Sequence, residues 1–286
     1  PRCYSRVMGA KSLHGLPERA DVLLVGAGPI GLEMAAALKC AGVDYVHVDA
    51  GAIASTIAWY PYGTAIFSGP ERLAIAGLPF SSYPHAKVTR EEYLMYLRNV
   101  VAHYGLRVFT HQRVSSIEST ASGFECIIEK SPFGVGGPDY AQNPSWRSAA
   151  NSPRSVVLCE KVILAIGDMH APKLLSIPGE SLPHVSHFYR DPHDFCGTST
   201  VIVGGKNGAC EAAVRLYRAG ADVTVCYRRP ALVADRVKPW ILIELEALID
   251  EGKVRFLGPR KVVEISEEFM TVQSPDGGVQ TDLLRA

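Results

Sequence analysis

The sequence has no C-x-x-C pair, no excess of either charge and no long unbroken apolar run. Each absence removes a class of function. The seven cysteines are scattered at Cys3, Cys40, Cys126, Cys159, Cys196, Cys210 and Cys226. Without close cysteine pairs, neither a zinc knuckle nor a local redox dithiol is written here, and no metal site is expected. An odd, dispersed set of thiols is expected to stay free in a reducing compartment, which points to the cytoplasm. Lys plus Arg and Asp plus Glu number 29 each, so the formal net charge is zero. A nucleic-acid surface needs a clustered excess of Lys and Arg, so no nucleic-acid partner is expected. The most apolar stretch, Val22 to Val43, is broken by Gly26, Gly28, Pro29, Gly31, Glu33 and Lys39. No membrane span is expected from it. The N-terminus lacks the sections of a signal peptide. An opening on Pro1 instead of Met reads as a trimmed start.

What is present is the composition of a globular protein, with 47% apolar and 20% charged residues over 286 positions. That length suggests about two domains, each able to bury its own core. Asp21 to Val25 is a short apolar run suited to a buried parallel strand. A glycine turn, Gly26-Ala-Gly-Pro-Ile-Gly31, follows, then a helical run from Leu32 to Ala41 closed by Gly42. Tyr45 to Asp49 is a second strand. From Ala50 to Pro84 no period is visible, but the aromatics Trp59, Tyr60, Tyr62, Phe67 and Phe80 argue against disorder. Thr89-Arg-Glu-Glu92 is a capping box that opens an amphipathic helix with Tyr93, Leu94, Leu97, Val100 and Val101 on one face. A strand is expected at Arg107 to Thr110. An antiparallel meander is expected from Val114–Glu118, Phe124–Glu129 and Ser155–Cys159. Ser131 to Pro153, rich in Pro, Gly, Ser and Asn, reads as a surface insertion. A separate buried strand is expected from Lys161 to Gly167.

The opening pattern then returns. Ser199 to Val203 is a strand, Gly204-Gly-Lys-Asn-Gly-Ala209 a glycine-rich turn, Cys210 to Ala219 a helix closed by Gly220, and Asp222 to Tyr227 a strand. The expected fold is therefore α/β with two Rossmann-like dinucleotide-binding domains, 20–170 and 171–286.

The two turns differ in a chemically informative way. In Gly26-x-Gly28-x-x-Gly31 the first Gly permits the tight turn, the second lets the backbone approach a pyrophosphate, and the third lets the helix pack on the strand. Pro29 and Ile30 complete the turn in front of the helix, whose N-terminal N–H groups suit phosphate. Asp49 ends the next strand, where a carboxylate accepts ribose hydroxyls. The second turn carries Lys206 where a second Gly is usual, and its next strand ends without an acid. Instead Arg228 and Arg229 follow Tyr227, and a guanidinium there suits a 2′-phosphate. One acid-type and one arginine-type site imply FAD plus NADPH, with hydride passing from NADPH to the flavin and onward to a small-molecule electron acceptor.

These residues resemble the two-dinucleotide flavoproteins related to thioredoxin reductase, and within them the bacillithiol disulfide reductases of the YpdA type. The resemblance runs from about Asp21 to the C-terminus. It rests on Val25 to Leu32, Phe67-Ser-Gly-Pro-Glu-Arg-Leu73, Leu78-Pro-Phe80 and Lys87-Val-Thr-Arg90, then on Ile177-Pro-Gly-Glu180, His184-Val-Ser-His187, Gly204-Gly-Lys-Asn207 and Val237-Lys-Pro-Trp240. It implies a thioredoxin-reductase-like fold, FAD and NADPH as cofactors, and a low-molecular-weight disulfide as acceptor. It also assigns Lys206 to the second fingerprint and Gly167 to a turn of the flavin domain. Trp59 to Tyr62 and Ala65 to Ser68 fall where the family has a flavin-facing loop; core aromatics under a long loop are the other reading. Two departures stand out. Ile30 occupies the slot where family members carry a cysteine, so direct transfer from flavin to acceptor is expected. The family's return segment into the flavin domain is missing after Thr281–Ala286, so the first domain is expected to be incomplete.

Other chemistries are weaker. His184, His187 and His193 are close in sequence but lack carboxylate or thiol company, so no metal is expected. Ile177-Pro-Gly179 begins like the signature of flavin monooxygenases, but His184 falls one residue late. No nucleophile elbow is visible, so hydrolase chemistry is unsupported. Flavin-dependent monooxygenation and a non-enzymatic FAD/NADPH redox sensor remain the alternative functions. A homo-oligomer is compatible with all of them.

Overall fold

A computed structural model describes residues 15–81, 87–131, 154–169, 172–189 and 191–283. The expected insertion at Ser131 to Pro153 lies, after Ser131, outside the described residues. The chain forms two compact units, Pro1–Ala171 and Pro172–Ala286.

The first unit opens with β1 (Arg19–Val25), α1 (Pro29–Cys40) and β2 (Tyr45–Val48). Two short helices follow, α2 (Ser55–Trp59) and α3 (Pro70–Leu73), then α4 (Arg90–Tyr104) and β3 (Val108–Phe109). A meander of β4 (Gln112–Thr120), β5 (Gly123–Lys130) and β6 (Arg154–Leu164) completes it. One six-stranded sheet has the order β3-β2-β1-β6-β5-β4. β1 pairs in parallel with β2 and β6, and β2 with β3. Burial on both faces explains why β1 reads as a continuous apolar run, with Leu23 and Leu24 fully buried. Leu24 packs with Leu32, Ala35, Leu97 and Val100 on one side, and Leu23 with Val46, Ile128 and Val157 on the other.

Two boundaries differ from the sequence reading. α1 starts at Pro29, ahead of the expected Leu32, because proline's fixed φ suits the first helical position. The strands expected at Ser155–Cys159 and Lys161–Gly167 are one strand, β6. It pairs antiparallel with β5 through Arg154–Cys159 on one edge and in parallel with β1 through Leu158–Leu164 on the other. Glu160 carries no turn chemistry, so nothing interrupts the strand just past the overlap of the two pairings.

α4 begins as its cap predicts. Thr89 accepts from the Glu92 N–H, and Glu92 reaches back to the Thr89 N–H at 2.7 Å. Its buried face includes Tyr96, which stacks on Phe80 with ring centroids 4.4 Å apart.

The second unit places β7 (Ser199–Val203), α5 (Asn207–Arg218), β8 (Asp222–Cys226), α6 (Pro239–Asp250) and β9 (Arg255–Leu257) around a parallel sheet ordered β7-β8-β9. β10 (Lys261–Ile265), β11 (Phe269–Gln273) and β12 (Val279–Leu283) form an antiparallel sheet. The core of the parallel layer is Cys210, Ala213, Val223, Val225 and Leu245. No described helix is long and apolar enough to cross a membrane.

Candidate dinucleotide sites

The first glycine turn joins β1 to α1, and its three glycines meet different constraints. Gly26 has φ +104°, and a Cβ there would lie 2.3 Å from the Ala165 carbonyl oxygen. A Cβ on Gly31 would lie 1.8 Å from the Gly26 carbonyl oxygen. Both glycines are therefore required by the protein's own packing. Gly28 is the exception: its backbone is ordinary extended, and a Cβ would meet no protein atom within 4 Å. The space in front of it is open. α1 begins there without a side-chain cap and without an acid in its first turn. Its orphan N–H groups and positive dipole end are left to an anion. Ile30 is 67% exposed on this first turn.

Asp49, just beyond β2, is buried, and each of its oxygens is engaged. Oδ2 accepts the Ala27 N–H at 2.6 Å and Oδ1 the Gly51 N–H at 2.7 Å. The carboxylate thus ties the glycine turn to the end of β2, a role its sequence position did not reveal. Burial pushes its pKa up, partly offset by those two N–H groups and by His47 and His111. His47 was missed entirely. It is fully buried on β2, its Nε2 sits 2.8 Å from the Gly26 carbonyl oxygen, and its Nδ1 has no partner. Burial pushes its pKa down, so the neutral ring that donates from Nε2 is favoured. The faint signal for it was a polar residue at an inward position of a buried strand.

The neighbouring loop is mixed. Tyr62 and Phe67 are 86% and 68% exposed, so they are not core aromatics. The Arg90 guanidinium lies over the Tyr62 ring at 4.5 Å. Gly167 follows β6 with φ +69° and is exposed.

The second turn joins β7 to α5. Gly204 has φ +147°, and a Cβ on Gly205 would lie 2.5 Å from the Tyr227 ring. Gly208, on the first turn of α5, meets nothing within 4 Å, and Ala209 follows it. Lys206 is the exposed N-cap of α5 and supplies no cap hydrogen bond. Asn207 is turned to a structural task, accepting the Lys238 N–H at 3.1 Å and so fixing the start of α6. Arg228 and Arg229 are both exposed beyond β8.

The histidine cluster behaves differently from its sequence reading. Glu180 supplies the carboxylate company that seemed lacking: its Oε1 lies 3.2 Å from His187 Nε2. The same carboxylate accepts the N–H groups of Leu175 at 2.7 Å and Ser176 at 2.6 Å. Among the described residues no group of three or more His, Cys, Asp or Glu is placed to hold a metal.

Two units, each with a glycine turn between a parallel strand and a helix, define a thioredoxin-reductase-like flavoprotein fold. A solved thioredoxin reductase of T. acidophilum superposes with a TM-score of 0.60 at 17% identity, over 94% of this chain and 76% of that one. The family model for pyridine nucleotide-disulphide oxidoreductases matches residues 23–134 and 150–282. The chain belongs to that family and is an oxidoreductase using FAD and NAD(P)H. It is 30% identical to the bacilliredoxin reductase Bdr of Bacillus subtilis (strain 168) over 252 residues, 88% of this chain and 70% of that protein. The solved bacillithiol disulfide reductase Bdr (YpdA) of Bacillus cereus is 28% identical, with a TM-score of 0.82 over 93% of this chain and 76% of that one.

Proposed function

We propose that this chain is an NADPH-dependent FAD oxidoreductase that reduces a low-molecular-weight disulfide. FAD is held at Gly26–Gly31 in residues 20–170, and NADPH at Gly204–Ala209 with Arg228 and Arg229 in residues 171–286. The observation that carries the reading is the open space at Gly28 and Gly208. These glycines front helix N-termini where packing demands no glycine, whereas Gly26, Gly31 and Gly205 answer to packing. A cradle kept free of side chains where nothing internal requires it fits a pyrophosphate lying against the backbone. When bound, FAD accepts hydride at N5 and passes two electrons on. The residues of the chain would position it: α1 offers N–H groups to phosphate, and Asp49 holds the turn in shape through Ala27 and Gly51 and would accept from a ribose hydroxyl.

The disulfide acceptor is supported by the likeness to the Bacillus cereus protein, whose name is that of a bacillithiol disulfide reductase. Two of the buried thiols are poorly suited to attack a disulfide. Cys210 is buried on the first turn of α5 and its pKa is pushed up to about 11 by burial. Cys126 is pushed up to about 12, first by burial and then by Cys159. Neither is a thiolate at neutral pH, so neither is an attacking group.

The test is NADPH oxidation by the FAD-loaded protein with low-molecular-weight disulfides, quinones or oxygen as acceptor. Disulfide-dependent oxidation that prefers NADPH over NADH is expected. Turnover with oxygen or quinone but with no disulfide would refute the acceptor.

A further inference from the structure

A groove in the second unit is lined by Arg228, Arg260 and Lys261 together with Gln273 and Ser274. No carboxylate is among the described residues that line it. Arg229 does not line it either. We propose that Arg260 and Lys261, in place of Arg229, complete with Arg228 a pocket for the 2′-phosphate of the dinucleotide, which narrows the arginine pair assigned to NADPH above to Arg228. The proposal rests on the reading that NADPH binds at Gly204–Ala209.

The sheet brings these cations together. β8 and β9 are parallel neighbours, with Cys226 opposite Leu257. Their carboxyl ends therefore share one edge, and ligands of open α/β sheets bind outside that edge. The chain leaving β9 stays against the chain leaving β8. Tyr227 N–H donates to the Leu257 carbonyl at 2.9 Å, and Arg260 N–H donates to the Tyr227 carbonyl at 2.9 Å. A Cβ on Gly258 would lie 2.5 Å from the Arg229 carbonyl oxygen, so only glycine lets the two loops approach this closely. Backbone bonds thus set Arg260 beside the residue preceding Arg228.

The chemistry suits a dianion at the rim of the site. Arg260 Nη1 donates to the Pro259 carbonyl at 2.9 Å, which anchors a planar fork able to pair with phosphate oxygens. The nearby acid, Asp276, accepts from the Ser274 hydroxyl and the Gly278 N–H through Oδ1, and its charge also faces Arg260, so a phosphate there competes with one carboxylate for three cations. A phosphate monoester carries about −1.5 to −2 charge near neutrality, enough to draw three cations. The pyrophosphate is served separately, by the N-terminus of α5.

The test uses adenosine 2′,5′-bisphosphate and 5′-AMP as probes, titrated calorimetrically into the purified full chain. The wild type is expected to bind the bisphosphate at least about tenfold more tightly than 5′-AMP. Arg228→Gln and the double change Arg260→Gln with Lys261→Gln should each remove most of that preference and leave 5′-AMP binding unchanged. Arg229→Gln should alter it less than about twofold, as exposed charges outside a contact do. The slope of log affinity against log salt should flatten in the double variant only for the bisphosphate. A wild type without preference would overturn the NADPH reading itself. A preference lost in Arg228→Gln but kept in the double variant would overturn this proposal alone, as would equal losses from Arg228→Gln and Arg229→Gln. Should the double variant misfold, Arg260→Lys keeps the charge and loses the fork. Partial loss of preference supports the proposal, and no change refutes it.

Discussion

Replacing Gly28 and Gly31 one at a time separates what the first turn does for the protein from what it does for a ligand. Gly28→Val places its side chain in open space on an ordinary backbone, at φ −74° and ψ −176°. The only internal penalty is an apolar residue at a helix N-cap, about 1 kcal/mol or less. For a chain of this size that lowers the melting temperature by roughly 2–4 °C. Gly31→Ala is smaller but drives its Cβ to 1.8 Å from the Gly26 carbonyl oxygen. That oxygen must move, and it is the partner of the buried His47 Nε2. Overpacking against backbone together with a broken buried hydrogen bond costs about 3 kcal/mol or more. The corresponding drop is roughly 6–12 °C. Bound flavin stabilises the folded state by mass action, so the comparison belongs to flavin-stripped proteins, measured by thermal unfolding. Flavin absorbance per protein after reconstitution then reports binding. Gly28→Val should be nearly as stable as the wild type yet colourless. A yellow Gly28→Val with full occupancy would refute the reasoning. So would a stripped Gly28→Val that unfolds as early as Gly31→Ala.

The remaining predictions concern the loop before β7, the cap of α4 and the thiols. Burial alone would raise the Glu180 pKa, but the Leu175 N–H, His187 and the Ser176 N–H outweigh it and hold the carboxyl below its ordinary value. A lowered folded pKa stabilises the protein above the ordinary carboxylate pKa, and that stabilisation is lost as pH falls through the folded pKa. Glu180→Gln should therefore cost about 1–3 kcal/mol at neutral pH and progressively less below the carboxylate range, read from denaturant midpoints against pH. Thr89→Ala removes the reciprocal cap and should cost about 1 kcal/mol in unfolding free energy. Serine variants of each of the seven cysteines should retain disulfide-dependent NADPH oxidation. Loss of turnover in one that still binds both cofactors would identify a redox thiol and overturn direct transfer.

The sequence by itself determined the local devices. The two strand–glycine turn–helix–strand units, the Thr89 to Glu92 capping box and the glycine ends of α1 and α5 all depend on residues a few positions apart. Their chemistry is written in the order of the chain: a proline at a first helical position, a hydroxyl three residues before a carboxylate, an apolar run between turns. Only the tertiary structure decided where those devices meet. β6 is one strand because it lies between β5 and β1 and offers one edge to each, a choice no local residue encodes. Asp49 holds Ala27, and His47 holds Gly26, because β2 lies against β1 and brings both side chains under the turn. Arg228 meets Arg260 because β8 and β9 end on one edge of a sheet. Strand pairing joins backbone groups irrespective of their separation along the chain. The buried polar contacts and the convergence of cations follow from that pairing and become visible only once it has formed.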